Sequence, residues 1–107
     1  MQEAVGSVEL LLARLEEMRA EYRLALPVRF AELVAAARRV RLQRATLGEA
    51  TRLAHTLAGT AGSYGFPEFG DACSAIEQAL IEAAADDGWQ RVETALAAAQ
   101  ARLPGAA

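Results

Sequence analysis

Apolar residues recur at helical spacing along almost the whole chain. Val8, Leu11, Leu12, Leu15, Met18 and Tyr22 follow the i, i+3, i+4, i+7 pattern, and Phe30, Leu33, Val34, Ala37 and Val40 share the face of a second segment. A helix patterned in this way has one apolar stripe, which must be buried against other helices. Punctuation residues divide the pattern into five segments. Ser7 is placed to cap the first. Pro27 interrupts it and suits the first turn of a new helix. Thr46-Leu47-Gly48-Glu49 matches a capping box and marks the start of the third. That helix carries Leu47, Ala50, Leu53, Ala54, Leu57, Ala61 and Tyr64 on its apolar face and stops at Gly65. Pro67 opens the fourth, with Phe69, Ala72, Cys73, Ile76 and Leu80 inside; Asp86, Asp87 and Gly88 form the next turn. Trp89, Val92, Leu96, Ala99 and Leu103 line the fifth.

Short connections make neighbouring helices antiparallel. The expected fold is all-α: an antiparallel up-down-up-down four-helix bundle over residues ~27–103, with an additional N-terminal helix over ~7–25 packed against or across one end. The 107 residues are expected to form a single domain. Much of the 53% apolar content is alanine, which suits close helix packing. The second segment ends in ARRVRLQR, and the plain reading is that cations favour a helix C-terminus.

Charge and motifs exclude several functions. A net charge of −3 argues against a nucleic-acid binder. The single cysteine, Cys73, has no internal disulfide partner and reads as a small core hydrophobe, so a reducing cytoplasm is the expected setting. No apolar run approaches the ~20 residues of a membrane span. The N-terminus lacks the pattern of a secretory signal. Neither end carries a Pro/Gly/Ser-rich linker, so a free-standing protein is expected; a monomer is expected as well, although the linker does not bear on that.

The one histidine, His55, sits in LAHTLAGTAGSYGF. At 100° per residue it lies roughly 140° from the centre of the apolar face, so it faces water. Its neighbours on the helix surface are Thr51, Arg52, Ala58, Gly59 and Gly62. Apart from Arg52 none is bulky, and two glycines there cost helix stability, at roughly 1 kcal/mol each against alanine. A nearly flat strip of backbone beside an exposed imidazole suits the close approach of a partner. Metal binding would need further ligands, and the chain has no second histidine. Neutral imidazole is a nucleophile near pH 7 and takes up phosphoryl groups directly. There is no P-loop and no kinase signature, so any phosphoryl donor comes from elsewhere. The chain reads as a carrier and not as an enzyme with its own ATP site.

Residues 54–80, AHTLAGTAGSYGFPEFGDACSAIEQAL, resemble the histidine-containing phosphotransfer (HPt) domains of bacterial multistep phosphorelays. His55, Leu57, Gly59, Ala61, Gly62, Gly65 and Phe66 match the family pattern, and Ile76, Glu77 and Gln78 match the run on the following helix. The resemblance implies that His55 is the phosphoacceptor and exchanges its phosphoryl group with the aspartate of a response-regulator receiver domain. The implied partners are that receiver and a hybrid histidine kinase. No cofactor is implied for this chain, with Mg²⁺ expected in the receiver. By register Glu77 is the residue that hydrogen-bonds the second ring nitrogen. Independently, the helical wheel places Glu77 at the edge of the apolar face and Gln78 away from it.

One position departs from the family. A lysine often stands three residues after the histidine, where this chain has Ala58. Either Arg52, one turn before His55, or the partner is the candidate source of that charge, because phosphoryl transfer depends on electrostatic stabilisation. Thr51, Ala58, Gly59 and Gly62 are the candidate partner-binding residues. The departure also leaves room for an alternative: a non-phosphorylated module that sequesters a receiver or a kinase.

Overall fold

The computed structural model describes the backbone of residues 2–105 and the side chains of residues 6–105. Among the described residues all regular structure is helical. The order is α1 (Gln2–Leu42), a single 3-10 turn (Arg44–Thr46), α2 (Leu47–Ser63), α3 (Pro67–Asp86) and α4 (Trp89–Arg102).

The first two segments read from the sequence are one helix. α1 runs for 41 residues straight through Pro27. A proline inside a helix removes one hydrogen bond and crowds the carbonyl four residues earlier, here that of Arg23. Two features outweigh this. Tyr22, Leu26, Phe30, Leu33, Ala37 and Val40 form an unbroken buried stripe that crosses the proline. Pro27 and Arg23 themselves face solvent, so water satisfies the freed carbonyl. Ser7 therefore lies within α1 and caps nothing.

Among the described residues there is accordingly no separate N-terminal helix folded across the end of the bundle. The first half of α1 continues in line and overhangs it. Val8, Leu11, Leu12 and Leu15 share one stripe and remain more than half exposed. The molecule's 61 Å long axis matches the length of a 41-residue helix at 1.5 Å per residue. ELLLARLEEMRAE holds this segment helical by propensity, with the Arg14–Glu17 ion pair on its surface at 3.1 Å.

The capping box is also absent. Thr46 lies in the 3-10 turn at φ −87°, ψ 1°, away from the extended conformation of an N-cap. Its hydroxyl donates backward to the Gln43 carbonyl at 2.7 Å. The other boundaries fall where the sequence places them. Gly65 takes a positive φ of 87°, and the Phe66 amide closes the end of α2 on the Ala61 carbonyl at 2.8 Å. Pro67 begins α3, Asp87 adopts the left-handed region at φ 60°, and Gly88 precedes α4.

α2 packs against α3, α3 against α4, and α1 lies along α2. Side-chain pairs fix the directions. α2 begins at Leu47, close after α1 ends at Leu42, while Tyr22, well back along α1, stacks on Tyr64 just past the far end of α2 with centroids 4.4 Å apart and pairs its hydroxyl with Thr60 Oγ1 at 2.7 Å, so α1 and α2 are antiparallel. Phe30 meets Phe69 edge-on in the centre of the core. Much of the rest is alanine: Ala36, Ala37, Ala50, Ala54, Ala61, Ala79, Ala83 and Ala99 are all buried. Cys73 is fully buried among them. The arginines at the end of α1 are partly structural. Arg38 forms a two-pronged pair with Glu93, both bonds 3.1 Å, while Arg44 reaches the Ala84 carbonyl and the Asp87 carboxylate.

Candidate functional site

α2 carries His55 on the face turned away from Ala54, Leu57 and Ala61, which are buried. The imidazole is 78% exposed. Its Nδ1 lies 3.2 Å from Oε1 of Glu77 on α3. Glu77 is only 28% exposed, since it stands at the edge of α3's packed face beside Ile76 and Leu80. A half-buried carboxylate on a packed helix is a fixed acceptor. It selects the tautomer with the proton on Nδ1 and leaves the Nε2 lone pair free. Nε2 has no protein partner among the described residues. Gln78 points outward and bonds Glu82 at 3.0 Å.

Beside the ring runs an open groove of about 290 Å³ between α2 and α3. Ala58, Gly59 and Gly62 form its α2 wall; Pro67, Gly70, Asp71 and Ser74 form the other. A Cβ added at Gly59 or Gly62 would meet nothing within 4 Å. The two glycines are therefore not there to admit a packed helix, and they keep the floor beside His55 low. Gly70 is different: its α-carbon faces the backbone of α2 directly.

The remaining sequence-selected residues stand apart from the groove. Arg52 is exposed one turn before His55 and makes no hydrogen bond or ion pair among the described residues. Thr51 turns its hydroxyl onto its own helix, to the Leu47 carbonyl at 2.9 Å and the Gly48 carbonyl at 3.2 Å. Among the described residues no lysine or arginine lines the groove, and its charged wall residue is Asp71. Gly70, Asp71 and Ser74 were not selected from the sequence. An isolated glycine between Phe69 and Cys73, inside an apolar helix face, is the signal that would have pointed to the first.

This geometry defines a class. A helical bundle presents one exposed imidazole at its surface, holds the ring from an adjacent helix, and leaves the strip beside it free of bulky side chains. The chain matches the Hpt domain family model over residues 6–104 and belongs to that family. Searches of curated proteins and of solved structures found no match. Hpt domains serve histidine phosphotransfer in phosphorelays, where they work with receiver domains and kinases and carry no kinase activity of their own. Among the described residues no helix is long and apolar enough to cross a membrane.

Proposed function

We propose that this chain accepts a phosphoryl group on Nε2 of His55 and exchanges it with the aspartate of a response-regulator receiver domain. The observation that carries the proposal is the 3.2 Å contact between His55 Nδ1 and Glu77 Oε1 beneath an otherwise exposed ring. As the group arrives, the bond between phosphorus and the aspartyl oxygen breaks, the Nε2–P bond forms, and the aspartate departs as a carboxylate. The ring becomes cationic while both nitrogens are substituted. The Glu77 carboxylate, bonded to the Nδ1 proton, offsets that charge, as carboxylates do for histidine elsewhere.

The receiver supplies Mg²⁺, and no cofactor is assigned to this chain. Ala58, Gly59 and Gly62, with Thr51 at the margin, form the surface on which the receiver docks. Arg52 contributes positive charge from the rim by reorienting its free side chain. The helices follow the up-down-up-down order of a phosphotransfer bundle, and the chain acts as a monomer in the cytoplasm.

The test is transfer from a panel of phosphorylated receivers, read by intact mass at neutral or alkaline pH. Label maps to His55 and is absent from His55→Gln. Binding of a receiver without label on the wild-type chain would replace the carrier reading with a sequestering module. The bare groove at Ala58, with Asp71 as its charged wall residue, is the observation that favours this second reading.

A further inference from the structure

We infer that Gly70 is a positioning residue, setting the separation of α2 and α3 at which Glu77 reaches the His55 ring. His55 and Gly62 are two helical turns apart on α2, and Gly70 and Glu77 are two turns apart on α3. The helices are antiparallel, so these four residues form one seam. His55 faces Glu77 at one end, and Gly62 faces Gly70 at the other. About 10 Å of helix separates the two pairs.

Contact at the Gly70 end is at its limit. A Cβ on Gly70 would lie 2.8 Å from the Ala58 carbonyl oxygen and 3.4 Å from the Gly62 nitrogen. Both are backbone atoms of a regular helix, so no side-chain rotation relieves the overlap. An ordinary carbon–oxygen contact is about 3.3–3.6 Å, which requires α3 to retreat by about half an ångström or more. The His55–Glu77 bond is already 3.2 Å, the long end of the hydrogen-bond range. The same retreat carried along the seam takes the carboxylate out of bonding distance.

Gly62 supplies the structural contrast. It belongs to the same seam, yet a methyl group there meets nothing within 4 Å. The missing side chain thus matters on α3 and is free of packing consequence on α2. The functional consequence rests on His55 being the phosphoacceptor, whereas the distance and the tautomer do not.

The experiment compares wild type, Gly70→Ala and Gly48→Ala. Gly48→Ala is the control, since its added methyl also meets nothing and lies on α2 away from the site. Ring ¹⁵N shifts, recorded where the imidazole is neutral, give the fraction with the proton on Nδ1. Phosphoramidate gives the rate of labelling without a partner protein: its P–N bond breaks, Nε2–P forms and ammonia leaves. Gly70→Ala is expected to lose most of the Nδ1–H population and to slow labelling on the order of tenfold, as loss of an orienting partner does at other histidines. Gly48→Ala should match wild type in both. A wild-type tautomer ratio in folded Gly70→Ala overturns the inference. A shifted tautomer with no label on any variant leaves the positioning role standing and removes the phosphoacceptor.

Discussion

Replacing Pro27 with alanine tests whether α1 is one helix. A proline in a helix interior is about 3 kcal/mol less favourable than alanine, because it lacks a hydrogen bond and crowds the preceding turn. Pro27 is exposed, so its removal sacrifices no burial. Against the gain stands the unfolded chain, which proline restricts by roughly 0.4–1 kcal/mol. The net expectation is a stabilisation of about 2 kcal/mol. For a domain of this size that raises Tm by roughly 8–16 °C. Urea titration should show a higher midpoint with an unchanged slope, since the exposed surface does not change. The sign is the decisive feature. If Pro27 instead opened a second helix, its ring would sit where no amide is needed, and alanine would be neutral or slightly destabilising. An unchanged or lowered midpoint therefore refutes the continuous helix and restores the two-segment reading.

Two further outcomes follow from the core and the groove. Burial pushes the Cys73 thiol up to about 12, so the unfolded chain ionises it first as pH rises. The folded state then holds more protons than the unfolded state. Stability should fall by about 2 kcal/mol between pH 8 and 10, starting from an unfolded thiol near 8.5. Cys73→Ala flattens that slope in urea titrations at stepped pH, and an equally steep fall in the variant would exclude the thiol as its source. Restoring a cation in the groove with Ala58→Lys should speed transfer from a phosphorylated receiver by about tenfold, a discounted value for an exposed electrostatic contact. A stopped-flow rate equal to wild type would mean that Arg52 or the partner already provides the charge.

The sequence led to most of the site for a physical reason. His55 and Glu77 sit on helices whose apolar faces are strongly patterned, and a rigid face dictates where its flanks point. The wheel that buried Leu57 and Ala61 also exposed His55, and the edge position of Glu77 follows from Ile76 and Leu80. Boundaries at Gly65, Pro67 and Asp87 were legible because a left-handed backbone or a missing amide leaves a chemical mark. Pro27 misled for the converse reason: a local break was overridden by a stripe continuing from Leu26 to Phe30, and only packing decides that contest. Thr46 misled because four residues can spell a capping box while the preceding backbone, turned at Gln43, removes its geometry. Gly70 was silent, since close approach between two helices is a property of the pair.

The bare groove also bears on energetics as well as access. A phosphorylated His55 would carry a highly charged group over a floor without a cation, with the Asp71 carboxylate in the opposite wall. Among the described residues no lysine or arginine lines the groove and Arg52 reaches that charge only from the rim, so the loaded state of the proposed function would keep a high group-transfer potential. A receiver aspartate sitting beside Mg²⁺ is the more comfortable resting place. Under the proposed function, the equilibrium is thereby tilted toward handing the group on, and the chain behaves as a spring-loaded donor more than as a store.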